Sequence, residues 1–181
     1  MQLTIHTPET APEAAKPILD AIARDLGLIP NMAAAVAGSP ALLRAFDGLR
    51  RAAGSGELDP VAREVAGVAV GVAVDNQYGV AFHSTVLASL GVEDAEIERM
   101  RAGGAPSDAK LAAAYDLARR IVLDRGKVDD EAVARATAAG FSTAEILEIV
   151  AECTFASLVG VMDNLAGRVE LDPFLVPRAW N

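Results

Sequence analysis

The chain has 181 residues, of which 52% are hydrophobic, 23% charged and only 4% aromatic, enough for one domain that buries about 70% of its unfolded surface. A formal net charge of −9 and a pI near 4.7 exclude a large phosphate-binding surface, so no nucleic-acid partner is expected. A single cysteine, Cys153, excludes an intrachain disulfide, a CxxC redox pair and a zinc site built on several thiolates.

Alanine supplies about a fifth of the residues, and its small side chain and high helix propensity favour closely packed helices over strands. The start of the chain, Met1 to Pro12, has no basic segment and no apolar run of the kind a signal peptide needs. The longest smooth apolar stretch, Val65 to Val74, falls short of the roughly 20 residues that span a bilayer. A soluble, cytoplasmic protein without a membrane partner is expected.

The first helix is expected from Pro12 to Leu26, with Ile18, Ile22 and Leu26 as its buried stripe and Gly27 as its stop, and a turn follows to Asn31. Ser39-Pro40 reads as an N-cap followed by proline at the first helical position. Leu42, Leu43, Phe46 and Leu49 then form an apolar stripe that ends near Gly54. Asp59-Pro60 repeats that signal and opens a helix to about Val74, so uniformly small and apolar that it belongs at the centre of the bundle. Asp75 or Asn76 caps the next helix, which runs to Leu90 before Gly91. Shorter helices are expected from Glu93 to Arg101 and from Asp129 to Ala139, with a longer one between them from Ser107 to Arg125. Ser142 and Glu145 make a capping box that opens a long helix to Ala166, before Gly167 and a proline-bearing tail, 168–181. The whole, 1–181, reads as an all-α, single-domain helical bundle.

One segment puts ionisable groups where the pattern demands burial. Glu64 sits in Arg63-Glu64-Val65-Ala66-Gly67-Val68 and His83 in Tyr78-Gly79-Val80-Ala81-Phe82-His83-Ser84, both among apolar neighbours. A carboxylate there needs a partner, and an imidazole is the simplest one. The plain alternative is a capping or surface Glu64 beside Arg63 and a core His83 with no role in chemistry. Asn76, Gly79 and His83 fall on one face of their helix at about 100° per residue.

The spacing Glu64, eleven residues, Asn76, two residues, Gly79, three residues, His83 resembles the alkylhydroperoxidase D-like and carboxymuconolactone decarboxylase superfamily, whose redox members carry E-x11-C-x-x-C-x-x-x-H. The likeness extends to Leu58-Asp-Pro-x-x-Arg-Glu64, to Gly27-Leu-Ile-Pro-Asn31 followed by Ser39-Pro-Ala-Leu-Leu-Arg-Ala-Phe46, to Tyr78, and to Gly140-Phe-Ser-Thr-Ala-Glu-Ile-Leu-Glu148. It covers about 15–170 and implies the alkylhydroperoxidase D-like fold and a homo-oligomer. Trp180 is a large aromatic that a frayed terminus would waste, so the tail is expected to pack on a neighbouring subunit, where Trp180 would dock.

Both motif cysteines are missing, replaced by Asn76 and Gly79, so thiol redox chemistry is not expected, and Cys153 reads as a core residue of the late helix. What remains is equipment for proton transfer: His83 as acid or base, Glu64 orienting it and Asn76 donating to an oxyanion, with Tyr78 and Gly79 lining the substrate space. No metal and no cofactor are expected. This resembles the cofactor-free decarboxylase branch, acting on a small organic acid or lactone. The competing readings are an alkylhydroperoxidase or peroxiredoxin-like antioxidant, and a non-catalytic oligomeric or ligand-binding relic. His6 reads as solvated, and the Arg50-Arg51 and Arg119-Arg120 pairs as helix surface or interface salt bridges.

Overall fold

The computed structural model describes residues 1–180, so the last residue of the expected tail, Asn181, lies outside the described residues. The described residues form nine α-helices and no strand: α1 (Lys16–Leu26), α2 (Asn31–Val36), α3 (Pro40–Gly54), α4 (Pro60–Ala73), α5 (Gln77–Ser89), α6 (Asp94–Arg101), α7 (Ala109–Leu123), α8 (Asp130–Ala138) and α9 (Thr143–Ala166). A 3-10 turn, Val176–Arg178, follows. The all-α bundle read from composition and capping is the observed architecture, and Ser39, Asp59, Asn76 and Ser142 each cap the helix that the sequence assigned them.

The departures have local causes. α1 starts at Lys16 rather than Pro12, because Pro17 has no N–H to give the carbonyl of residue 13 and is tolerated only in a first turn. Its buried residues are Leu19 and Ile22, with Ile18 half-buried and Leu26 exposed. In α3, Leu43 and Phe46 are buried while Leu42 and Leu49 are half-buried. The cap of α7 is Asp108, one residue past the expected Ser107. Helix α2 was not foreseen at all: it has six residues, five of them buried, and so offers no polar face from which to read a period.

α4 takes the centre because its side chains are small: Ala62, Val65, Ala66, Val68, Ala69 and Val70 are all buried, and the helix packs against α5, α7 and α9. The buried residues gather into two apolar cores, and α4 belongs to the first. One gathers Val65, Leu87, Ile97, Tyr115 and Ile149; the other gathers Leu19, Ile22, Met32, Leu43, Phe46 and Val159. Helices α5 and α9 contribute to both, so the seam between the cores runs along them.

The N-terminus of α5 is held from three directions. Asn76 Oδ1 accepts from Gly79 N at 2.8 Å, and the buried Asp163 carboxylate of α9 accepts from the backbone N–H of Gln77 at 3.0 Å and of Val169 at 2.8 Å. Asp75, in the α4–α5 turn, adopts a left-handed φ of 55°, and Arg168 fixes it by donating to its carbonyl at 2.7 Å and its carboxylate at 2.6 Å.

The tail folds back on its own chain. Asp172 accepts from the Tyr78 hydroxyl at 2.5 Å and from Asn31 N at 3.1 Å, which caps α2 from 141 residues away. Arg101 donates to the carbonyls of Arg178 and Ala179, and the Trp180 indole N–H donates to Arg101 O at 3.2 Å. Trp180, expected against a neighbouring subunit, thus makes its hydrogen bond within the chain. Among the described residues no helix is long and apolar enough to cross a membrane.

Replacing Asp163 strands three backbone donors, those of Gln77 and Tyr78 at the head of α5 and that of Val169 at the root of the tail. Asp163→Ala is expected to lower unfolding stability by about 3 kcal/mol, and Asp163→Asn, which keeps an acceptor, by about half as much. Urea denaturation followed by circular dichroism checks both, and equal losses would contradict the capping role.

Candidate active site at the seam of the two cores

Glu64 and His83 meet. The His83 Nδ1 lies 2.8 Å from Glu64 Oε2, and the two residues are 5% and 4% exposed respectively. Arg63, next to Glu64 on α4, donates from Nε at 3.0 Å and from Nη2 at 2.9 Å to the other carboxylate oxygen, Oε1. Both acceptors of the buried carboxylate are therefore used. Gly67, one turn along α4, makes room for the ring: a Cβ there would collide with the His83 imidazole, so any side chain would push α4 and α5 apart.

A third group that the sequence reading passed over completes the arrangement. Glu152 of α9 is 3% exposed, and its Oε1 stands 3.6 Å from His83 Nε2. That separation is too long for a hydrogen bond, and Oε1 is buried without a partner. The signal was present in the chain. Glu152 interrupts the apolar run Ile149-Val150-Ala151 and Cys153 just as Glu64 interrupts its own helix.

The three groups shift one another. Burial works to raise the Glu64 pKa, but the hydrogen bond and charge of His83, aided by Arg63, outweigh it and hold the carboxyl below its ordinary range. Burial likewise disfavours the imidazolium, yet Glu64, with help from Glu152, raises the His83 pKa. Glu152 has no such compensation: burial pushes its pKa up, and the negative Glu64 adds to this while His83 and Arg63 oppose it. The arrangement is a hydrogen-bonded Glu64–His83 pair in which each partner favours the charged form of the other, beside a Glu152 carboxyl whose ionisation burial opposes.

All three line a cavity of about 230 Å³ whose walls come from α3, α4, α5 and α9 together with Pro30 and Met32. Its body is apolar and aromatic, with Phe46, Phe82, Phe155 and Val159, and Phe46 meets Phe155 edge to face at 5.2 Å between centroids. Two arginines also line it. Arg63 is paired with Glu64, and Arg50 donates to Asp47 at 2.7 Å and to Asp25 at 2.9 Å.

The other expected site residues stand differently. Asn76 is fully buried and does not line the cavity: its Oδ1 caps α5 and its Nδ2 donates to Ala156 O at 3.4 Å. Gly79 lines the cavity, but the space beside its missing side chain is filled by the Asn76 amide. Tyr78 lines it with its ring, while its hydroxyl turns away to Asp172; burial and that carboxylate raise its pKa, so it stays protonated. Cys153 borders a separate groove with Ile121 and Gly160; its Sγ points at Ala118 O, and burial pushes its thiol up to about 12. Among the described residues no group of His, Cys, Asp and Glu is set to hold a metal ion.

Comparison with known proteins bears on the same helices. Residues 40–120 match the profile of the Carboxymuconolactone decarboxylase family, a span that includes both Glu64 and His83. No curated protein matches the sequence. Among solved structures, an alkylhydroperoxidase AhpD core, described as an uncharacterized peroxidase-related protein from Ralstonia eutropha JMP134, superposes with a TM-score of 0.82 at 20% identity, over 97% of this chain and 94% of that one. An uncharacterized peroxidase-related protein from Silicibacter sp. TM1040 gives 0.78 at 19% identity, over 96% and 91%. A variant of the debrominase Bmp8 in complex with 2,3,4-tribromopyrrole gives 0.78 at 16% identity, over 98% and 95%. The family match covers the motif-bearing helices and the shared fold extends over nearly the whole chain, so this protein has the alkylhydroperoxidase D-like fold and is similar over 40–120 to the carboxymuconolactone decarboxylase family, without the paired cysteines.

Proposed function

We propose that the protein is an enzyme of cofactor-free acid/base chemistry, related to the carboxymuconolactone decarboxylases, that moves a proton at a carbon next to a carbonyl of a small organic acid or lactone. The observation that carries this reading is the buried line Glu64–His83–Glu152 on the wall of an apolar cavity. In a β,γ-unsaturated lactone, the ionised Glu152 takes the proton between the carbonyl and the double bond. The C–H electron pair shifts toward the carbonyl oxygen, where the imidazolium of His83 stabilises the charge, and the carboxyl returns the same proton at the γ carbon. Atoms balance without oxidant or cofactor. With a β-keto acid, cleavage of the bond to the carboxyl carbon releases carbon dioxide and leaves an enolate, to which the His83 imidazolium gives its Nε2 proton, restored from solvent.

Glu64 and Arg63 act behind this. Glu64 fixes Nδ1, which leaves Nε2 to face Glu152, and the two charges of Glu64 and His83 cancel in a low-dielectric setting that would otherwise forbid them. A debrominase of similar fold is described in complex with a small flat ring, 2,3,4-tribromopyrrole, which is in keeping with a cavity of this size and lining.

The peroxidase-related names of the similar structures favour a second reading, peroxide reduction. It would have to run through Cys153, whose thiol is buried, high in pKa and outside the cavity. The homo-oligomer belongs to the same proposal. Leu147, Val161 and Leu165 lie along one outer face of α9, 63%, 59% and 51% exposed, and they make an apolar strip suited to a second copy.

Small γ-lactones and β-keto acids should be screened for isomerisation and carbon dioxide release. Glu64→Gln and His83→Gln are expected to lower kcat/KM by about 10²- to 10⁴-fold, while Cys153→Ala stays within about twofold of the parent. Peroxide turnover that disappears in Cys153→Ala would overturn the ranking of the two readings.

Glu152 also leaves a mark on stability. Its folded pKa lies above the reference value of 4.5, so its ionisation costs stability that develops as pH rises past that value. The charged groups facing it are His83 from α5 and Glu64 and Arg63 from α4. Glu152→Gln is therefore expected to raise Tm at pH 7–8 and leave it unchanged at pH 4; a lower Tm at pH 8 would argue that the carboxylate is compensated.

A further inference from the structure

We infer that the cavity selects an uncharged ligand, a small ring bearing a hydroxyl or an enolisable carbonyl, whose oxygen lies between His83 Nε2 and Glu152. This rests on the acid/base reading only for what happens next; the recognition stands on its own geometry.

Three observations meet here. First, His83 Nε2 and Glu152 Oε1 face each other at 3.6 Å without a hydrogen bond, and Oε1 is a buried oxygen with no other partner. Buried polar atoms are rarely left so, and an oxygen placed beside both satisfies both: it accepts from the imidazole N–H and, as a hydroxyl or enol, donates to the carboxylate. Second, the space leading away from that pair is walled by Phe46, Phe82, Phe155 and Val159, which suits the face and edge of a ring and offers nothing polar. Third, the cavity has no cation to spare. Arg63 is held by Glu64 at 2.9 Å, and Arg50 is held by Asp47 and Asp25. His83 stands between two carboxylates. A carboxylate-bearing ligand would have to break one of these pairs or lie beside Glu152 as a second anion, and both are costly in a buried site. An uncharged ring avoids the conflict.

The inference separates the two halves of the proposed substrate class: it takes lactones and enolisable ketones ahead of free acids. Phenol and benzoate make a matched pair of probes, with the same ring and different heads. Titrated calorimetrically at pH 7.5 into the full chain, phenol is expected to bind at least tenfold more tightly than benzoate. Glu152→Leu is expected to weaken phenol at least tenfold, and Glu152→Gln by a smaller factor. Because leucine at this position can disturb folding, each variant is first matched to the parent by thermal unfolding, and Glu152→Gln carries the result if Glu152→Leu does not fold. Benzoate binding equal to or tighter than phenol, or phenol binding indifferent to a folded Glu152 variant, overturns the inference. Isomerisation of cyclohex-3-en-1-one to its conjugated isomer is measured on the same samples. Phenol selectivity without isomerisation supports the recognition and removes the acid/base reading, whereas isomerisation with benzoate preferred removes the recognition alone.

Discussion

Everything at this site depends on one buried pair. A carboxylate and an imidazole inside a helical protein cannot both be charged unless each neutralises the other, and the 2.8 Å contact between Glu64 and His83 meets that requirement. The contact demands that α4 and α5 approach closely at one level, which Gly67 allows by presenting no side chain to the ring. It also demands a fixed register between the two helices. That register is set at the other end of α5, where Asn76, Asp163 and Arg168 tie down the helix N-terminus and the strained Asp75 turn. Caps far from the chemistry thus decide whether Nδ1 meets its carboxylate.

Around this fixed pair the molecule leaves something unsatisfied. Most buried polar groups of the described residues find partners, the Asp163 and Asp172 carboxylates several each. Glu152 is an exception at the cavity wall, its Oε1 orphaned and its ionisation opposed by burial. A group that costs stability in a well-satisfied core is where function is to be sought. Its position fits that view, because it lies on the seam between two apolar cores, where a cavity can exist without splitting either one.

The bundle was legible in the sequence because its boundaries are chemical. Ser39-Pro40, Asp59-Pro60 and Ser142 with Glu145 act through hydrogen bonds within four residues, and the structure shows each of them closed. Glu64 and His83 were legible for a related reason, as charges in apolar runs at a recognisable spacing. What escaped depends on partners far along the chain. α2 is capped by Asp172, and the Tyr78 hydroxyl is drawn to the same residue, so neither its burial nor its direction is encoded nearby. Asn76 shows the converse case: its place in the motif suggested an oxyanion donor, while its local chemistry is that of an N-cap, with the side chain buried away from the cavity lining. Glu152 needed no distant information, only the test that had singled out Glu64.

The central claim is that Glu64, hydrogen-bonded at Nδ1, favours the imidazolium form of His83. The chain has two histidines, His6 and His83, so the imidazole nitrogens can be followed by ¹⁵N NMR across a pH titration and assigned with a single His6→Gln variant. The account expects His83 to titrate above the ordinary histidine value of 6.5, with Nδ1–H in a hydrogen bond that Glu64→Gln weakens. A His83 that titrates at or below that value, or that is unaffected by Glu64→Gln, would contradict it.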